Sequence, residues 1–140
     1  MPMGLAFIVP GDPRGKGRPR FSKGRTYTDD KTVEYERRIR NSYRLNFGSY
    51  KWPDNALLKV QITAYYSIPK SATKAKRAMM ESGDLLPTRK PDVDNIIKAV
   101  LDALNGVAYK DDASVVEVSC RKLYGTPPRV EVEIMGEVLV

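Results

Sequence analysis

Asp92 and Asp94 stand one residue apart in the stretch KPDVDNIIKAVLDALNG, residues 90–106, and Lys98 follows four positions after the second of them. Two carboxylates and an ammonium so close together can hold a hard cation and contact a phosphate. Asp111 and Asp112 follow in YKDDAS. A helix over residues 93–105 rises about 20 Å at ~1.5 Å per residue. An extended return from Gly106 to Asp112 covers about the same length at ~3.3 Å per residue. Asp112 is therefore expected back beside Asp92 and Asp94. Three carboxylates at one point repel, and they persist when a cation neutralises them. Oxygen ligands alone suit Mg²⁺ or Mn²⁺. The bland alternative is that Asp92 caps the helix, Asp94 complements its dipole, and Asp94 pairs with Lys98 on the surface.

The composition narrows the chemistry. The chain has no histidine, which excludes a Ser-His-Asp triad, a Cys-His pair and any His-ligated metal. A hydrolase here needs a carboxylate, a lysine or a metal-bound water as base. The single Cys120 cannot form an internal disulfide, and a reducing cytoplasm fits that. The formal net charge of +7 favours a polyanionic partner. No run of about 18 apolar residues is present, so no membrane span is expected. The start of the chain does not read as a signal peptide.

The basic residues gather in RGKGRPRFSKGR, residues 14–25: Arg14, Lys16, Arg18, Arg20, Lys23 and Arg25, with no acid among them. Phe21 lies within the run and Tyr27 just after it. Glycines would let the backbone approach phosphates, and aromatic rings would stack on unpaired bases. The alternative is a solvated surface loop. GKGRPR does not match a Walker loop. A second basic stretch, PKSATKAKR, carries Lys70, Lys74, Lys76 and Arg77. A basic surface that holds a nucleic-acid backbone, with an acidic metal site in its midst, is the logic of a metal-dependent nuclease.

The elements that must position these groups follow from periodicity. Residues 3–9 read as a strand, and 10–27 as one long irregular loop, rich in Gly and Pro. A helix from Asp29 or Asp30 to Phe47 carries Val33, Tyr35, Ile39, Tyr43, Leu45 and Phe47. Residues 56–68 read as a long strand, 71–83 as a short basic helix and 84–91 as a linker. In the helix that follows, Pro91 is suited to the start and Gly106 to the stop. Ile96, Ile97, Val100, Leu101 and Leu104 form its apolar arc, with Asp94, Lys98 and Asp102 opposite. The last two strands are expected to form a hairpin across TPP. The whole is expected to be a single two-layer α+β domain over 1–140, with helices packed on one face of a mostly antiparallel or mixed sheet.

KPDVDNIIKAVLDALNGVAYKDDASVV also resembles the RusA family of Holliday junction resolvases. The likeness lies in the Asp-x-Asp-Asn-x-x-Lys core, the Leu-Asp-Ala-Leu after it and the downstream Asp-Asp-Ala. KGRPRF, GRTYT and PPRVEVEI extend it over most of the chain. The resemblance implies a Mg²⁺-dependent homodimer that binds a four-way DNA junction and resolves it by paired nicks in recombination and repair. By motif position, Asp92, Asp94 and Asp112 match the family's catalytic, metal-holding carboxylates, and Lys98 matches its essential lysine. Asp111 is a weaker candidate by the same match, and Asn95 is expected to support the site. Two features depart from the pattern. Pro91 stands where some relatives carry Arg, which passes a phosphate contact to Lys90. Residues 70–90 form a basic segment that shorter relatives lack. A nuclease acting on flaps or forks, or a branched-DNA-binding protein with a structural acid site, are the competing readings.

Overall fold

The computed structural model describes residues 2–17, 20–27 and 29–138; the side chains at 2, 3, 20 and 27 lie outside the description. The elements are β1 (Pro2–Pro10), β2 (Arg20–Ser22), β3 (Arg25–Tyr27), α1 (Asp30–Phe47), β4 (Ala56–Tyr66), α2 (Lys74–Ser82), α3 (Val93–Leu104), β5 (Val115–Tyr124) and β6 (Arg129–Val138). Four strands form one sheet in the order β1-β6-β4-β5. The pairs β1–β6 and β6–β4 are antiparallel, and β4–β5 is parallel. This is the mixed sheet of an α+β domain.

Alternation decides which strand face is buried. On β4, Ala56, Leu58, Val60, Ile62, Ala64 and Tyr66 are all buried, and the register aligns them with Val130, Val132 and Ile134 of β6. Helix α1 covers this layer through Tyr35, Ile39 and Tyr43, spaced one helical turn apart. Asp29 caps that helix by accepting from the Thr32 amide at 2.8 Å. Val33 and Leu45, expected on the same face, are 39% and 88% exposed. Position 45 lies about 200° around the helix from Tyr43 at ~100° per residue.

A parallel pair needs a crossover connection. Between β4 and β5 that crossover contains α3, which runs back against the strands. Its start therefore lies at the carboxyl end of β4. Its buried positions are Ile96, Ala99, Val100, Ala103 and Leu104. The two alanines place the helix close to its neighbours, while Ile97 and Leu101 are only half-buried at its flank. Pro91 is not the first helical residue; Asp92 occupies the N-cap position and Pro91 precedes it.

The expected hairpin of the last two strands is not formed, because β4 lies between β5 and β6. Residues 125–128 instead cross the end of β4. The Gly125 amide donates to the Tyr66 carbonyl at 3.0 Å, and a Cβ at Gly125 would lie 2.6 Å from the Tyr65 ring. Four residues at ~3.3 Å each cover the two strand spacings of roughly 4.8 Å. The loop expected over 10–27 also differs, because it contains a β2–β3 hairpin. Lys23 and Gly24 take φ of 52° and 73°, the left-handed pair of a type I′ turn. Lys-Gly is a weaker turn signal than Asn-Gly, and three-residue strands carry little periodicity.

Candidate active site

The start of α3 is held in place by the ends of the parallel strands. Tyr66, the last residue of β4, donates its hydroxyl to the Pro91 carbonyl at 2.6 Å. Lys122 of β5 donates to the Arg89 carbonyl at 2.6 Å, and Arg89 donates to the Ser67 carbonyl at 2.9 Å. Both cations also lie over the Tyr66 ring, at 5.5 Å and 5.0 Å from its centroid. Burial pushes the Tyr66 hydroxyl up to about 12, so it stays protonated and donating.

On this platform Asp92 takes an extended backbone, φ −74° and ψ 157°. It sits at the N-cap without capping. Its carboxylate makes no hydrogen bond to the helix amides. Asp94 follows in the first turn, and Lys98 one turn later. Among the described residues the charged ends of Asp92, Asp94 and Lys98 have no hydrogen-bond or ion-pair partner, and all three residues are exposed. The capping and surface-pair explanation of these groups is therefore not what the structure adopts. Exposed and solvated, these charges cost the fold little, and two free carboxylates with an ammonium one turn on leave both signs open to a ligand.

Beside Asp92 opens a cleft of about 610 Å³. Arg14, Lys31 and Lys90 supply its positive charge, with Asp29, Asp92 and Asn95 in the same lining. Lys90 and Asn95 thus share this lining with Asp92, while Asp94 and Lys98 lie outside it, and the half-buried Asn95 uses its backbone carbonyl to accept from the Lys16 amide at 2.9 Å. Gly15 and Gly17 of the basic loop serve packing rather than phosphate approach. A Cβ at Gly15 would lie 2.8 Å from the Asn95 Cβ and 3.0 Å from that of Pro91, and one at Gly17 would strike the Asp29 and Thr32 side chains. Lys16 is not free for a polyanion; it is bound to the carboxylates of Glu36 and Asp102. Lys23 and Arg25 are exposed on the β2–β3 hairpin, with Phe21 76% exposed beside them. Arg18 and the side chain of Arg20 lie outside the described residues.

Asp112 does not return to Asp92 and Asp94. The chain turns tightly after α3, with the Gly106 amide on the Tyr109 carbonyl at 2.7 Å, and with Ala108 and Tyr109 buried. Tyr109 then donates to the Leu101 carbonyl, and the Asp112 amide donates to Asn105 Oδ1 at 3.0 Å. Asp112 is thereby fixed at the far end of the 12-residue helix, about 18 Å along its axis. There it meets Asp111 and Asp102. Burial first, then the hydrogen bond and charge of Asp111 and the charge of Asp102, raise its pKa above the ordinary carboxylate value, with Asn105 opposing. Among the described residues no three carboxylates of one chain converge on a metal-sized point.

Sequence reasoning missed Tyr66, Arg89, Lys122, Lys31 and Glu36. No local pattern marks them, since each acts through a neighbour distant in sequence.

The family model for endodeoxyribonuclease RusA matches residues 10–135. The chain belongs to the RusA endodeoxyribonuclease family. It is 37% identical over 137 residues to the uncharacterised protein YqaN of Bacillus subtilis (strain 168), covering 93% of this chain and 94% of that one. It is 29% identical over 119 residues to the crossover junction endodeoxyribonuclease rusA of Lactococcus phage r1t, covering 80% of this chain and 84% of the phage protein. Both the cleft and α3 lie within the span that the RusA model matches. The activity class of this RusA protein is accordingly hydrolysis of DNA phosphodiesters. No described helix is long and apolar enough to cross a membrane.

Proposed function

We propose that this RusA protein is a Mg²⁺-dependent endonuclease that resolves four-way DNA junctions by paired nicks in recombination and repair. The observation that carries the reading is the unpartnered set Asp92, Asp94 and Lys98 at the start of α3, beside a cleft bearing Arg14, Lys31 and Lys90. The phage relative is named for crossover junctions, and the same substrate suits a basic surface with an exposed aromatic hairpin.

The donor chemistry fits a hard divalent cation, since every candidate ligand is a carboxylate oxygen. Asp92 and Asp94 would hold it, with Asp112 completing the set. The number of donors is insufficient in one chain, because Asp112 lies at the opposite end of α3. Two copies related by a two-fold axis, with their α3 helices antiparallel, would bring the start of one helix beside the end of the other. Such an isologous contact makes two equivalent sites, one for each strand to be cut. The half-buried Ile97 and Leu101 flank and the 42% exposed Val93 offer apolar surface along that helix.

Bound there, Mg²⁺ would lower the pKa of an attacking water and shield charge on the phosphate. Lys98, without a carboxylate partner, donates to a non-bridging oxygen of the scissile phosphate or to the leaving oxygen. Lys90 and Arg14 hold the flanking phosphates. Tyr66 keeps the peptide before Asp92 fixed, so the carboxylate does not move as the backbone binds.

The test is cleavage of a labelled four-way junction against a linear duplex, with Mg²⁺ and with EDTA. Wild type should make symmetric paired nicks only with Mg²⁺, and Asp94→Asn should bind without cutting. Binding with no cutting under any divalent metal would instead make the protein a branched-DNA-binding module. Preferred cutting of flaps or forks would reassign its substrate.

A further inference from the structure

We infer that Lys16 is a positioning residue that locks the Pro13–Gly17 strap between α1 and α3 and occupies Asp102, leaving Lys98 free for the phosphate. This deepens the nuclease reading above and rests on it. Lys16 Nζ lies 2.5 Å from Glu36 Oε1 of α1 and 3.4 Å from Asp102 Oδ2 of α3. Its backbone amide donates to the Asn95 carbonyl at 2.9 Å. The next amide, of Gly17, donates to Thr32 Oγ1 at 3.0 Å. Gly15 packs on Pro91 and Asn95 so closely that no side chain fits. Three consecutive residues therefore tie one strap to both helix starts, and Arg14, at its edge, is delivered into the cleft beside Asp92.

The link to Lys98 follows from helical spacing. Asp94 precedes Lys98 by four residues and Asp102 follows it by four, so both carboxylates are within its reach. Neither forms an ion pair with it among the described residues, and Asp102 is engaged by Lys16 instead. Partial burial pulls the Lys16 pKa down, but the hydrogen bond and charge of Glu36 and the charge of Asp102 outweigh it and hold it above the ordinary value. Lys16 is thus a fixed cation. A basic residue in a basic loop is expected to touch phosphate, and the structure gives it two protein carboxylates.

The two roles predict opposite behaviour. Junction binding in EDTA, its salt dependence, and single-turnover cleavage at saturating protein are measured for wild type, Lys16→Met, Lys16→Arg and Glu36→Gln. Amide exchange over residues 14–17 is followed in the same samples. As a strut, Lys16→Met slows cleavage about ten- to a hundredfold through misplacement of the site, and the loss persists at saturating protein, where any weaker binding from a displaced Arg14 no longer counts. Lys16→Arg recovers most of the rate. Glu36→Gln slows cleavage without tightening binding, and amides 15–17 exchange faster in Lys16→Met. As a phosphate contact, Lys16→Met weakens binding and reduces the salt slope by about 1, the saturated rate is kept, and Glu36→Gln binds more tightly. That pattern overturns the inference, as does Lys16→Met with wild-type rate and binding. If wild type cuts no junction, the nuclease reading fails by itself. Faster exchange at 15–17 in Lys16→Met then still supports the strut, and unchanged exchange overturns it.

Discussion

Replacing Tyr66 by Phe removes one oxygen from a side chain that is 2% exposed and leaves its ring among the same neighbours. That oxygen donates at 2.6 Å to the carbonyl of Pro91, the residue before Asp92. Leaving this part-buried acceptor without its donor costs about 1–3 kcal/mol, the upper end holding where water cannot replace the hydroxyl. The ring contacts of Arg89 and Lys122 survive the change, so the loss is confined to the hydrogen bond. An unfolding entropy of roughly 2.1 cal/mol/K per residue gives this 140-residue chain about 0.3 kcal/mol/K. Tyr66→Phe should therefore melt about 3–10 °C below wild type. Junction affinity should hold, since no phosphate contact is lost, while the cleavage rate falls as Asp92 loses its fixed backbone. Calorimetry at neutral pH and single-turnover cleavage read the two effects. A melting temperature within about 1 °C of wild type, together with an unchanged rate, would falsify the anchoring role of Tyr66.

Asp112 titrates against the usual direction for a carboxylate. Its folded pKa is raised, so its stabilising contribution is present below the ordinary value of 3.8 and is lost as pH rises through the folded value. Asp112→Asn should consequently melt above wild type at neutral pH in EDTA, with the gap closing in acid; adding Mg²⁺ should raise the wild-type melting temperature and not that of the variant. Phe21→Ala should leave the melting temperature unchanged, because the ring is exposed, yet weaken junction binding by about 1–3 kcal/mol if the ring stacks on an unpaired base. The salt slope should not move, and equal loss of affinity for linear duplex would exclude stacking at the branch.

Much of the site was legible in the sequence because it lies on one helix. A period of 3.6 places Asp94 and Lys98 one turn apart, Pro91 favours an extended approach, and the absence of histidine confines the proposed ligands to carboxylates. Membership of the RusA family was legible for the same reason, since its motif is local. The buried faces of β4 and α1 were readable from alternation and from Tyr35, Ile39 and Tyr43. The β5–β6 pairing was misread, because a short connection between two alternating strands describes a hairpin and a strand-skipping crossover equally well. Only the insertion of β4 between them decides it.

The sequence by itself determined which chemistry was open to this protein: carboxylates and a lysine without histidine, on a basic chain. Tertiary structure decided which of those groups are free. Lys16 looks like Lys23 in the sequence, yet one is bound to Glu36 and Asp102 while the other stands on an open turn. Asp112 has the chain length to reach Asp92, but the buried Ala108–Tyr109 turn fixes it at the other end of α3. Spacing sets the limit of what a residue can reach. The partners it meets depend on packing between segments far apart in the chain, which no local pattern records.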